Sequence, residues 1–132
     1  MGKRYLIDTN AIIDYTSGIY PEKGLKFMDD IVNQDINISI VSKIEALAFA
    51  PQTEQQIQFF QLVLEFINNA NIYMLDEDTI DQTIEIRKEY KLKLPDAIIA
   101  ATSINNHLTL ISRNDKDFGK IPGLLIINPH EI

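Results

Sequence analysis

Short apolar runs alternate with longer amphipathic stretches along this chain. Tyr5-Leu6-Ile7 is apolar and stops at Asp8, which predicts a short buried strand. Asp8-Thr9-Asn10 then has the character of a helix N-terminus, and the spacing predicts a short helix from Asn10 to Tyr15, ended by Ser17-Gly18. A second helix is expected over Pro21 to Val32, with Leu25, Met28, Ile31 and Val32 on one face. Ile36 to Val41 alternates and then runs apolar, predicting a strand. Ser42 to Phe49 predicts a helix closed before Pro51. Thr53 suits the cap of a longer helix from Glu54 to about Asn69, with an unusually broad apolar surface. Ile72 to Leu75 predicts a strand, and Asp78 to Tyr90 a helix. Pro95 fits the first turn of a further helix reaching Asn106 or His107. Leu108 to Ser112 and Leu124 to Ile127 complete the strands.

Strands alternating with helices imply an α/β fold whose mainly parallel sheet is covered on both faces. At 132 residues one domain, 1–132, is expected, with no linker or internal repeat. Cysteine is absent, which excludes disulfides and thiolate metal sites and fits a cytoplasmic protein. The apolar run after Lys3-Arg4 is too short for a signal peptide, and no segment approaches membrane-spanning length. The net charge of -7 argues against a bulk electrostatic nucleic-acid binder, since such binding rests on neutralising phosphates. It is compatible with an enzyme whose acids hold cations.

Four acidic positions fall where strands end or helices begin: Asp8, Glu45, Asp96 and the cluster Asn114-Asp115-Lys116-Asp117. In an open α/β sheet such points converge beyond the carboxyl ends of the strands. Each also has a simple structural explanation. Asp8 can be an N-cap. Ser42-x-x-Glu45 matches a capping box. Asp96 can favour a helix dipole, and the Asn/Asp-rich loop can be a turn. Gathered at one edge, the carboxylates would repel one another unless a divalent cation neutralised them. The combination points to a metal-dependent phosphodiester hydrolase.

The segments Leu6-Ile7-Asp8-Thr9-Asn10, Ser42 to Glu45, Pro95-Asp96-Ala97-Ile98-Ile99-Ala100-Ala101 and Leu110 to Phe118 together resemble the PIN-domain ribonucleases, in particular the VapC-type toxins of prokaryotic toxin–antitoxin pairs. The resemblance spans nearly the whole chain and implies a PIN-like three-layer α/β/α sandwich. It makes Asp8, Glu45 and Asp96 the three acids of the catalytic set, with Asp8 and Asp96 as magnesium ligands. The fourth position falls to Asn114 or Asp117, with Asp115 an extra acid that the family pattern does not demand, and Glu45 and Asp117 could supply a second metal site or orient the attacking water. Ser112 stands where threonine is more usual. The implied cofactor is Mg²⁺, with Mn²⁺ equally suited to oxygen ligands. The implied activity is endonucleolytic RNA cleavage without a covalent intermediate. A cognate antitoxin protein and a homodimer are the implied partners.

Asn10, Ser112, Arg113 and Lys116 are candidates for contact with the RNA, the last two as phosphate ligands beside the fourth acid. His107 and His130 are assigned no chemistry. Core packing is the default account of the apolar surface from Ile57 to Ile67, and exposure of Phe59, Phe60 or Phe66 would instead mark a docking face. Other classes fit less well. A receiver-type phosphoacceptor needs paired acids after the first strand, and a haloacid-dehalogenase-like phosphatase needs an acid where Asn10 stands. A Toprim-like nuclease could use Asp115-Lys116-Asp117 but leaves Asp8 unexplained. An RNA-processing PIN nuclease without an antitoxin, and a catalytically silent PIN-like interaction domain, are the alternatives.

Overall fold

A computed structural model describes residues 2–132. Five short strands alternate with helices: β1 (Tyr5–Ile7), β2 (Asn37–Ser39), β3 (Asn71–Tyr73), β4 (Thr109–Ile111) and β5 (Ile126–Ile127). The helices are α1 (Thr9–Ser17), α2 (Glu22–Gln34), α3 (Ile40–Leu47), α4 (Glu54–Asn68), α5 (Glu77–Glu89), α6 (Leu94–Asn105) and the single turn α7 (Asp115–Phe118). A 3-10 turn, Pro129–Glu131, follows β5. All three strand pairings are parallel: β1 with β4, β4 with β5, and β2 with β3. The β2–β3 ladder lies beside β1. There the buried Asn37 donates to the Tyr5 carbonyl at 3.0 Å and accepts from Asn71 at 3.0 Å. A buried amide needs such partners, and this one joins the two ladders.

Successive residues of a strand face opposite sides, so each buried strand feeds two cores. Ile7, Ile38 and Ile111 pack with Ile12, Met28, Val63 and Phe66 of α1, α2 and α4. Leu6 and Leu110 pack with Ile86, Ile99 and Phe118 of α5, α6 and α7. The result is the expected three-layer α/β/α sandwich. Ala97, Ala100 and Ala101 are fully buried, and their small side chains let α6 lie close on the sheet. Gly24 of α2 has a similar purpose, since a Cβ there would run into the carbonyl oxygen of Pro129.

The expected strand Ile36–Val41 is shorter than its apolar run. Ile40 and Val41 already belong to α3, whose cap is Ser39, with its Oγ accepting from the Val41 amide at 3.1 Å. Ser42 is therefore inside the helix, and the capping box it was expected to form with Glu45 is not made. In α4 the apolar surface divides. Phe66 is buried in the core, and Phe59 and Phe60 are half-buried, so none of the three stands exposed; Ile57 and Leu62 do. No helix among the described residues is long and apolar enough to cross a membrane.

Candidate functional site

The carboxyl ends of β1 and β4 lie side by side, and Asp8 and Ser112 are the residues that follow them. Asp8 caps α1, its Oδ1 accepting from the Thr9 amide at 2.8 Å. Capping is not its whole role. Its other oxygen accepts from Ser112 Oγ at 2.8 Å and from Asn10 Nδ2 at 3.0 Å, and the residue is only 4% exposed. Burial lifts its pKa from 3.8 to about 6, against the lowering effect of the Ser112 hydroxyl and the Thr9 amide. The charges of Asp96 and Glu45 raise it further. Neutral donors orient a carboxylate, but here they do not offset its loss of water.

Asp96 lies in the first turn of α6, half-buried, with Pro95 ahead of it. Its pKa is raised by burial first, then by the charges of Glu45 and Asp117; Lys93 partly offsets them. Glu45 is exposed on α3 and accepts from Thr9 Oγ1 at 2.7 Å, while the Thr9 and buried Ser42 hydroxyls lie 2.9 Å apart. With Ser42 turned to Thr9, α3 presents Glu45 toward α1. The charges of Asp96 and Glu45 thus act on Asp8, and those of Glu45 and Asp117, not Asp115, act on Asp96. Asn114 precedes α7 without capping it by its side chain, and its backbone amide donates to Ser112 Oγ at 3.0 Å.

The candidate RNA contacts are placed differently from one another. Asn10 and Ser112 are turned inward and support Asp8; Asn10 Nδ2 also donates to Ser112 Oγ at 3.1 Å. Arg113, a candidate phosphate ligand, is engaged by Asp14, with Nη1 at 2.8 and 3.0 Å from its two carboxylate oxygens. Lys116 is exposed on α7. Three participants carried no assignment from the sequence: Thr9, Asp14 and His130. His130 Nε2 lies 2.8 Å from Asp14, and its ring packs on Tyr20 with centroids 4.6 Å apart. The available signal was Asp14 itself, an acid directly after the apolar run Ala11-Ile12-Ile13 and before Tyr15.

Among the described residues no three acidic or histidine side chains already converge into a closed metal cage. The donor set still fits a hard divalent cation. It is all oxygen, its buried member ionises only at a cost, and Mg²⁺ keeps several waters rather than demanding a full protein shell. Beside the acids, Phe49, Phe59, Phe60 and Val63 line an apolar cavity of about 230 Å³ that Thr9 and Glu45 border.

An α/β sandwich with acids mustered at the carboxyl edge of its sheet is the class that fold and site define. The PIN domain model matches residues 5–124, and the chain belongs to that family. Among solved structures it is similar to a chain of a toxin–antitoxin complex from Klebsiella pneumoniae. The two are 34% identical, with 97% of this chain and 99% of that one covered and a TM-score of 0.74. It shares its fold with a chain of DNA-bound VapBC from Salmonella typhimurium, at 21% identity, the same coverages and a TM-score of 0.81. It shares it likewise with FitAcB from Neisseria gonorrhoeae, at 20% identity, the same coverages and a TM-score of 0.77. No curated protein matches it in sequence.

Proposed function

We propose that this protein is a divalent-metal-dependent endoribonuclease and the toxin of a type II toxin–antitoxin pair. The observation that carries the reading is the buried Asp8 carboxylate, held by three hydrogen bonds at the sheet edge with Asp96 and Glu45 beside it. A purely structural N-cap needs neither the burial nor the neighbouring acids. The 34% identity to a toxin–antitoxin chain supports the biological role.

Asp8 and Asp96 would hold the cation, Mg²⁺ or Mn²⁺. When bound, it supplies positive charge to the non-bridging phosphate oxygens and makes water a better nucleophile. Glu45, exposed and anchored by Thr9, is placed to accept a proton from the attacking water. Asp117 completes the acidic rim, Asn114 can hydrogen-bond a ligand, and Lys116 can meet a phosphate of the RNA. Ile44, Met74 and Leu94 are large apolar side chains left exposed on or beside α3, β3 and α6, and a homodimer would give them a surface to pack against.

The test is cleavage of a structured-RNA pool in Mg²⁺, Mn²⁺ or EDTA by wild type, Asp8→Asn and Asp96→Asn. Metal-dependent cutting that both variants lose is expected, as is its inhibition on co-expression with an antitoxin. Absence of both cleavage and divalent-cation binding in the folded wild type would refute the catalytic reading. Light scattering tests the dimer, and Met74→Lys should give a monomer.

A further inference from the structure

We propose that Arg113 is a positioning residue for the Asp8 carboxylate, acting through Asn10 and clamped by the buried Asp14. The inference rests on Asp8 being the metal-holding carboxylate of the proposed nuclease.

Asp14 projects from α1 at 2% exposure, and an ionised group so placed must be partnered. Its partners are the Arg113 guanidinium, on both oxygens, and His130 from the C-terminal turn. The clamp fixes the backbone after β4, and from there the Arg113 amide donates to Asn10 Oδ1 at 3.2 Å. That bond reinforces the orientation of the Asn10 amide and fixes its outer end. With Oδ1 engaged outside, Nδ2 is directed to Asp8 Oδ2 and Ser112 Oγ, at 3.0 and 3.1 Å. The opposite orientation would set a carbonyl oxygen against the carboxylate. The relay therefore runs from Asp14 to Arg113, then through Asn10 to Asp8, and each link leaves the next with one satisfactory arrangement.

The rival role is direct contact with RNA, because half of the Arg113 side chain, 52%, is exposed. The two roles differ in what they change. A phosphate ligand contributes to substrate binding and moves KM. A positioning residue changes the metal-holding carboxylate and moves metal affinity and kcat.

The test compares wild type with Arg113→Met, Arg113→Lys and the double variant Arg113→Met/Asp14→Asn, which removes both charges should the lone buried acid impair folding. Three quantities are read: the Asn10 side-chain amide by ¹⁵N NMR in metal-free protein, Mn²⁺ affinity by calorimetry, and kcat and KM on RNA. In Arg113→Met the Asn10 amide should move to a solvent-like shift with faster exchange. Mn²⁺ affinity and kcat should fall about 10- to 100-fold, as for other residues that orient metal ligands, with KM little changed. Arg113→Lys keeps the charge without the paired geometry and should recover part of the loss. An unchanged Asn10 resonance and Mn²⁺ affinity in both folded Met variants would overturn the proposal, as would a rise in KM alone. Should wild type cut none of the RNA offered, the NMR and Mn²⁺ measurements still decide the relay independently of the nuclease reading.

Discussion

Replacing Asp8 with Asn should remove a pH dependence from stability that the wild-type metal-free protein displays. Burial and the neighbouring acids lift the Asp8 pKa from 3.8 to about 6, so the folded state holds this proton more tightly than the unfolded chain. Its stabilising contribution is complete below pH 3.8, declines as the pH rises, and is gone above about pH 6. At about 1.4 kcal/mol per pH unit, the lost stability approaches about 3 kcal/mol. Asn is an equally good helix cap and carries no charge, so α1 retains its start while the titration disappears. The assay is urea unfolding of both proteins in EDTA at intervals from pH 4 to pH 8. The stability difference, variant minus wild type, should grow by about 2–3 kcal/mol over that range. Subtraction removes the titrations common to both proteins. Adding Mn²⁺ at pH 8 should then stabilise wild type and leave Asp8→Asn unmoved. A difference that stays flat with pH would refute the claim that the ionised carboxylate is held at a cost.

The same coupling predicts that Asp96→Asn lowers the pKa of Asp8, because one of the two acids raising it is gone; ¹³C NMR of the carboxyl carbons reads the shift. Ser112→Ala should do the reverse. It removes the 2.8 Å donor to Asp8 and the acceptor for the Asn114 amide, pushing the Asp8 pKa above about 6 and reducing RNA cleavage, whereas Ser112→Thr keeps the hydroxyl and the activity. Gly24→Ala should destabilise the protein by about 1–3 kcal/mol in urea unfolding, since the new methyl meets backbone of the C-terminal turn and not a flexible side chain.

The sandwich was legible because its signals are local: Tyr5-Leu6-Ile7 stopping at Asp8, Thr53 before α4, Pro95 inside α6. The errors arose where local signals are ambiguous. Ile40-Val41 is β-branched and apolar, and two such residues suit the end of a strand or a buried first helical turn equally. Placing the cap at Ser42 instead of Ser39 then created a capping box that does not exist, and with it a structural explanation for Glu45 that the fold removes. The turn α7 was missed since four residues carry no periodicity, and the burial of Phe118 that holds it is a tertiary matter. The acids were visible at their strand ends, but the occupation of Arg113 was not. Its partner lies 99 residues away, and nothing in the neighbouring sequence distinguishes a free guanidinium from a clamped one.

That occupation bears on why the proposed site would take an outside cation. Asp8 has three neutral donors and still ionises reluctantly, and Lys93 only partly offsets the charges around Asp96. The Arg113 guanidinium is committed to Asp14, and a site neutralised by its own side chains would have little to gain from a metal. Asp14 instead holds Arg113 away through both carboxylate oxygens, so the positive charge stabilises a buried acid of α1 while its backbone orients Asn10. The acids at the sheet edge are thereby fixed in position but left under-neutralised. A divalent ion that binds the folded state alone, at a hundred times its Kd, contributes about 2.7 kcal/mol. That is close to the roughly 3 kcal/mol by which ionised Asp8 weakens the fold at neutral pH. The burial that destabilises the metal-free protein and the affinity proposed to draw a cation into it would then be one electrostatic imbalance.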